Sequence, residues 1–418
     1  MTPTSEQEPL WRSRPGAEQI RAAVPGDLAS VGDRMWVSPG LSNSYLIGTD
    51  DGCVILNAGM GFEGPVHRDN YAALGAGPLR YLVMTQGHYD HVGGVDALRE
   101  PGTQVVMQAE WATWRNDNER LNSFRVNNAA FAWTEAITAA LDFAANRPEG
   151  FPAQSAPTPD IVVDESLDLT VGGRALRLIS TPGGETTDSL VVHLPDEDVL
   201  FCGNLFGALF GHIPNLVTMR GDRYRDALTV VDSIEQVRAL KVAALHTGHF
   251  GPILGADLID AELVRLRDAI LFVHDATVEG MNAGADVSEL MRSIVLPEHL
   301  AVGEGYGKVA WDVRAIWENY AGWFHHRATT ELLPVRPDAV HAEVAGLAGS
   351  DALVTAASAR VSAGELAQAL QLCEIALAGE PDHPAARTLS IEIHQRLLEA
   401  STNFWESAWL RRELERLQ

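Results

Sequence analysis

Two rhythms of apolar residues run along the chain and divide it. Up to about residue 257, short apolar runs are separated by turn-forming clusters; beyond it, apolar residues recur at helical spacing. The first part opens with DRMWVSPG and SNSYLIGTDDGCVILNAG, which predict two strands over 33–57, and Asp50-Asp51-Gly52 between apolar runs is a hairpin signal. A buried strand at Tyr81–Met84 comes next, then a glycine-rich turn, a helix starting at VDALRE and a strand TQVVMQ near 105. Residues 108–143 predict helix, with Trp111, Trp114, Phe124, Phe131 and Trp133 serving either as packing or as an apolar wall over a site. Four prolines over 147–159 predict an extended lid or connector. Strands return over 161–204 around an Asp196-Glu197-Asp198 turn, followed by an amphipathic helix over 222–240 and a last short strand in KVAALHTGHF. The segment AGELAQALQLCEIALAGEPDHPAA resembles one tetratricopeptide-like helical hairpin with no run of repeats. The pattern gives a β-rich α/β domain followed by a helical one, with the change near 257–275.

Composition narrows the classes. At 418 residues the chain is long enough for two domains, and 46% hydrophobic with 21% charged residues is globular. A formal net charge of −25 argues against nucleic acid or an anionic membrane as partner, because phosphates are repelled. No apolar run fits a signal peptide or approaches the roughly 20 residues of a membrane span. Cys53, Cys202 and Cys373 are widely spaced and form no CxxC, which excludes a Cys-rich zinc site and suits a reducing, cytoplasmic setting. No P-loop or GxGxxG opens a helix, and GGETTDS lacks the GxSxG elbow of serine hydrolases.

The chemistry concentrates in His88-Tyr89-Asp90-His91-Val92-Gly93-Gly94, where two imidazoles and a carboxylate follow a buried strand in a glycine-rich turn. A tight loop can aim such side chains at one point, as a metal site requires. Taken from Gln86 as Gln-Gly-His-Tyr-Asp-His, the segment resembles the HxHxDH signature of the metallo-β-lactamase superfamily. SNSYLI at 42–47, TPGGE at 181–185, LFCGN at 200–204 and His249 in TGHFGP follow in that family's order. Glu185, one place after the family's usual histidine, is similar to the alkyl-sulfatase branch. So are NLVTMRG at 215–221 and GYGKVAWDVRAIWENYAGWF at 305–324. The resemblance implies an αββα sandwich followed by an all-α dimerisation domain. On that basis 1–29 is an N-terminal extension, 30–265 the catalytic domain, and 266–418 a homodimerising helical domain.

The same resemblance implies two metal positions. Site one falls on Gln86, His88 and Glu185; site two falls on Asp90, His91 and His249, with His246 as the fallback for the last. Asn204 stands where the family has a bridging carboxylate, and Gln86 where it has a histidine. Neutral amides are poor zinc ligands. Two dications without an anionic bridge repel by about 4 kcal/mol per product of unit charges, at about 4 Å and an effective dielectric near 20. One zinc at site two is therefore favoured over two. Iron or manganese is an alternative, since two histidines and a carboxylate also form the facial set of non-haem iron.

Arg220 and Asn215 fall where the sulfatases grip the sulfate ester, although Arg220 could equally sit in an ordinary salt bridge; Tyr306 and His212 are further pocket candidates. The expected reaction is metal-dependent hydrolysis of a small anionic ester, sulfate first, with His88 and Glu185 completing the metal site or moving protons. A mononuclear iron enzyme and a non-catalytic binding protein are the alternatives. The other histidines have no ligand spacing.

Overall fold

A computed structural model describes residues 8–145 and 152–418, so the N-terminal seven residues and the first part of the 147–159 connector lie outside the described residues. The chain forms two compact units, residues 1–320 and 321–418.

The first unit is built on two sheets. One has seven strands in sequential order: β1 (Ala29–Gly32), β2 (Met35–Ser38), β3 (Ser44–Thr49), β4 (Gly52–Leu56), β5 (Leu79–Val83), β6 (Gln104–Gln108) and β7 (Ile161–Val163). The first four pair antiparallel and β4 to β7 pair parallel. The second sheet contains β8 (Ser166–Val171), β9 (Arg174–Ser180), β10 (Leu190–Leu194), β11 (Val199–Gly203), β12 (Ala244–Thr247) and β13 (Ile253–Leu254). Its one parallel pair is β11 with β12. The region 33–57 thus yields three strands, because the second predicted segment is itself a hairpin, β3–β4, turning at Asp50–Asp51.

Period-two alternation decides what each strand face meets. Tyr45, Val54, Val83 and Val106 point one way and pack with Leu176, Leu178, Val192 and Phe201 of the other sheet. Leu46, Ile55, Leu82 and Val105 point the other way, into a cluster with Val92, Val95, Trp111 and Trp114. Helices covering that outer face include α1 (Gly64–Ala72), the one-turn α2 (Tyr89–Val92) and α3 (Val95–Leu98), and α4 (Trp111–Ala129), which α5 (Thr134–Ala145) follows. The second sheet's outer residues, Val191, Leu200 and Leu245, pack with α6 (Ala227–Leu240), α7 (Ala256–Asn282) and α9 (Val309–Ala321); α8 spans Val287–Ser293. Sheets covered on both faces explain why the strands read as nearly unbroken apolar runs. The result is the αββα sandwich.

The second unit is helical: α10 (His341–Ala348), α11 (Ser350–Ser362), α12 (Leu366–Gly379), α13 (Pro384–Ala400) and α14 (Phe404–Leu417). The hairpin expected over 363–386 is the α12–α13 pair, closed on Ala357, Ala369, Cys373 and Ile393. Trp317 is buried in the first unit's core, whereas Trp323 is 68% exposed.

Candidate metal centre

Four loops bring polar residues together at one end of the sandwich. They follow β5 (Gln86 to His91), β11 (Asn204) and β12 (His249), which pair parallel with a neighbour and release their chains at the same end, and the antiparallel β9 (Glu185). The loops are pressed together so closely that side chains are excluded between them. A Cβ on Gly184 would fall 1.4 Å from the Leu205 carbonyl oxygen, and one on Gly248 would fall 2.0 Å from Asn204 Oδ1. Gly184→Ala must therefore push Glu185 and Asn204 apart. The expected cost is about 3 kcal/mol, or a melting temperature about 5 °C lower, measurable by calorimetry. An unchanged melting temperature would mean that the loops are not tightly docked.

Half-buried Asp90 meets buried His91 and His249 here. His91 is inaccessible to solvent. Its Nδ1 lies 3.2 Å from Ser42 Oγ and 3.4 Å from Thr85 Oγ1, contacts that place the ring proton on Nδ1 and leave a lone pair on Nε2. Nε2 is buried without a hydrogen-bond partner, 3.4 Å from Asp90 Oδ2. That spacing is too long for a charge-assisted hydrogen bond. It matches the separation of about 3.3 Å between two donors bound tetrahedrally to one zinc at about 2.0–2.1 Å. Burial lowers His91 to about 3 and His249 to about 4, so both imidazoles stay neutral, the form that ligates metal. The His249 ring stands 6.4 Å from that of His91, at 79° to it. Among the described residues no three His, Cys, Asp or Glu side chains lie in closed ligating geometry as they stand. The donor types and the orphaned Nε2 nonetheless fit a divalent cation.

The other four implied ligands behave differently, because they bond chiefly to one another. Gln86 Nε2 lies 2.8 Å from His88 Nδ1 and donates to Glu185 Oε2 at 3.2 Å. Asn204 Nδ2 donates to the same Oε2 at 2.8 Å and lies 3.1 Å from His249 Nε2. Arg220 Nη2 donates to His88 Nε2 at 2.7 Å, which takes the one lone pair of the neutral ring and leaves the proton on Nδ1, 3.5 Å from Glu185 Oε2. Burial alone would raise the Glu185 carboxyl, but His88, Arg225 and Arg220 hold it well below the usual range. The two amides therefore act as hydrogen-bond donors that tie an anion in place.

A cavity of about 480 Å³ opens beside this cluster and is lined at one end by His88, Asp90, Glu185, Asn204, Arg220 and His249, with Tyr306 close by. Its other end is apolar, with Phe62, Trp133, Ile137 and Leu141. Tyr306 is buried, and burial, reinforced by Glu185, raises its hydroxyl. Asn215 is also buried but does not line the cavity; its backbone carbonyl accepts from Arg225 Nη1. His212 is held away from the cavity wall, where its Nδ1 accepts from Gly305 N at 2.8 Å. His246 stacks on Phe201 at 4.7 Å, within the packing between the sheets, which leaves His249 at the cluster.

Several residues here carry no motif. Asp222 Oδ2 binds Arg220 Nε at 2.6 Å, and the same carboxylate faces Arg125 at 3.4 Å and Arg225 at 3.7 Å. Burial would raise Asp222, but Arg220 and then His88 keep it ionised. The only local sign in the sequence is RGDRYR at 220–225, an acid set among arginines. The Pro-rich connector is pinned to the ligand loop, since Ser155 N donates to the Gly93 carbonyl at 2.8 Å.

Comparison with known proteins identifies the family. The family model for the metallo-beta-lactamase superfamily matches residues 37–249, and the one for alkyl sulfatase dimerisation matches residues 286–417. A linear primary-alkylsulfatase of Pseudomonas sp. is 28% identical over 360 residues, covering 81% of this chain and 67% of the relative. An alkyl/aryl-sulfatase of Saccharomyces cerevisiae is 22% identical over 357 residues, covering 80% and 54%. The solved structure of a stereoselective inverting sec-alkylsulfatase from Pseudomonas sp. superposes with a TM-score of 0.80 at 19% identity, covering 94% of this chain and 66% of that one. The chain thus spans roughly half to two thirds of the length of these relatives. The match over 37–249 shows that the chain belongs to the metallo-beta-lactamase superfamily of divalent-metal proteins, with an alkyl sulfatase dimerisation segment after it.

Proposed function

We propose that the protein hydrolyses sulfate esters, or closely similar anionic esters of small molecules, with one divalent cation held by Asp90, His91 and His249. The observation that carries this reading is the orphaned His91 Nε2, 3.4 Å from Asp90 Oδ2, beside a cavity with a guanidinium at its polar end and an apolar far wall. The sulfatase relatives support the choice of ester. Zinc is the proposed ion, with iron or manganese as alternatives that the same donors accept. When bound, the cation supplies Lewis acidity and lowers the pKa of water. Arg220 binds the anionic head of the ester, because a planar fork of donors suits a tetrahedral oxyanion. Glu185, ionised and fixed by Gln86 and Asn204, accepts a proton from the attacking water or orients it, and His88 relays protons between Glu185 and the cavity. The apolar wall excludes bulk water and takes the organic part of the ester.

The helical segment after residue 265 serves homodimerisation in this reading, supported by the family model over 286–417. Three buried, free cysteines support a reducing compartment, the cytoplasm. No helix among the described residues is long and apolar enough to cross a membrane.

The test is sulfate release from a series of alkyl sulfates, butyl to dodecyl, by metal-loaded protein. The expected result is turnover that a chelator abolishes and added zinc, iron or manganese restores. Absence of sulfate release across the series, with the metal verified in place, would overturn the proposal.

A further inference from the structure

Past Trp114, the helix that walls the cavity inverts the usual burial pattern. On α4, Leu121, Phe124 and Val126 are 37%, 56% and 55% exposed, whereas Asp117, Asn118 and Arg125 are 6%, 8% and 9% exposed. An ordinary amphipathic helix does the reverse, so this inversion costs stability unless the buried polar face has work to do. The buried residues are arranged as a cradle for one guanidinium. Arg125 lies over the Trp114 ring, 5.1 Å from its centroid, and that ring stands edge-on to His88 at 5.1 Å. Arg125 Nη1 donates to Asn118 Oδ1, and its Nε faces Asp222 Oδ1 at 3.4 Å, a charge contact rather than a hydrogen bond. Asp222 gives its other oxygen to Arg220, so one carboxylate spaces two guanidiniums, and all three residues line the cavity. Arg225 adds a third positive charge at 3.7 Å. Glu185 also offsets Arg220 and Arg225, so Arg125 is left sharing Asp222 without a carboxylate of its own. Arg125 Nη2 has no hydrogen-bond partner among the described residues, and Trp114 Nε1 is buried without one.

We propose that Arg125 forms a second anion subsite that recognises a carboxylate carried by the substrate next to its ester. The preferred substrate is then a sulfate ester of a hydroxy acid rather than of a plain alcohol. This rests on the sulfate-ester reading, in which Arg220 takes the sulfate. A plain alkyl chain would lay methylenes against the Arg125 guanidinium and offer its donors nothing, whereas a carboxylate accepts from its fork. Asp222 is the positioning residue that fixes the spacing of the two cations.

The experiment compares 3-sulfooxyoctanoate with octan-3-yl sulfate on wild type, Arg125→Leu and Arg125→Lys. Wild type is expected to favour the carboxylated ester in kcat/KM. Arg125→Leu is expected to lose about 30-fold on that ester and less than about threefold on the plain one, with Arg125→Lys recovering part of the loss. A wild-type preference for the plain ester, or equal losses on both, overturns the subsite. Calorimetric binding of 3-hydroxyoctanoate against octan-3-ol reads the same contact without turnover: tighter binding of the acid that Arg125→Leu removes supports the subsite even if no sulfate is released. Melting curves verify that each variant is folded, and if Arg125→Leu does not fold, Arg125→Lys alone decides, since a selective loss on the carboxylated ester is still expected from losing the fork.

Discussion

His91→Ala protein is expected to retain no metal through desalting and to lose turnover to background, the two losses occurring together. His91 is the least replaceable of the donors because the fold has already prepared it. It is inaccessible to solvent, its Nδ1 is directed at Ser42 and Thr85, and its Nε2 is left facing Asp90 with no other partner. Loss of an outer partner that orients a ligating histidine costs about 10- to 100-fold in metal affinity or activity. Ser42→Ala should therefore fall in that range, and removal of the imidazole itself should exceed it. Metal content by plasma mass spectrometry, read beside sulfate release, checks both variants. Full metal content and activity in His91→Ala protein would place the cation elsewhere.

How early these residues could be read depended on how far apart they lie in sequence. His88, Asp90 and His91 are consecutive enough for spacing alone to mark them, and the strand before them was legible as an apolar run. Both rest on local rules: a short apolar run for β5 and a glycine-rich turn for the loop. The sandwich followed from the order of motifs that carries the family resemblance. The Asp222–Arg125 contact joins positions far apart in sequence, so no window of the chain contains it. In α4 the local rule pointed the wrong way. Leu121 and Phe124 would be assigned inward and Arg125 outward by hydropathy, yet Arg125 lines the cavity and the other two do not. Phe124 thus belongs neither to the core nor to the cavity lining, whereas Trp111 packs in the core and Trp114 and Trp133 line the cavity. Asn215 was placed from motif order alone, and nothing local could show that Arg225 would take its carbonyl and hold it behind the cavity wall. For Arg220 the sequence allows a salt bridge or a substrate contact; the residue makes the salt bridge to Asp222 and still lines the cavity.

Gln86→His combined with Asn204→Glu is expected to let the protein bind a second metal equivalent where the wild type binds one. In the wild type the two amides spend their N–H groups on Glu185, and Arg220 covers His88 Nε2, so the donors of site one are occupied by one another. The buried Oε1 of Gln86 and Oδ1 of Asn204 have no partners, yet as neutral oxygens they cannot offset the charge of two dications. An imidazole at 86 replaces a weak ligand. A carboxylate at 204 brings the missing negative charge between the sites and pulls Glu185 out of its amide cage by repulsion, freeing it to ligate. Neither change alone should suffice: Gln86→His leaves the repulsion unscreened, and Asn204→Glu without a cation sets two carboxylates against each other. The single Glu variant should therefore be the less stable when stripped of metal and should regain stability on zinc addition, by the linkage that any ligand of the folded state obeys. Zinc titration followed by calorimetry, with metal counting on the same samples, measures all of this. Two equivalents on the wild type, or one on a correctly folded double variant, would refute the single-metal site.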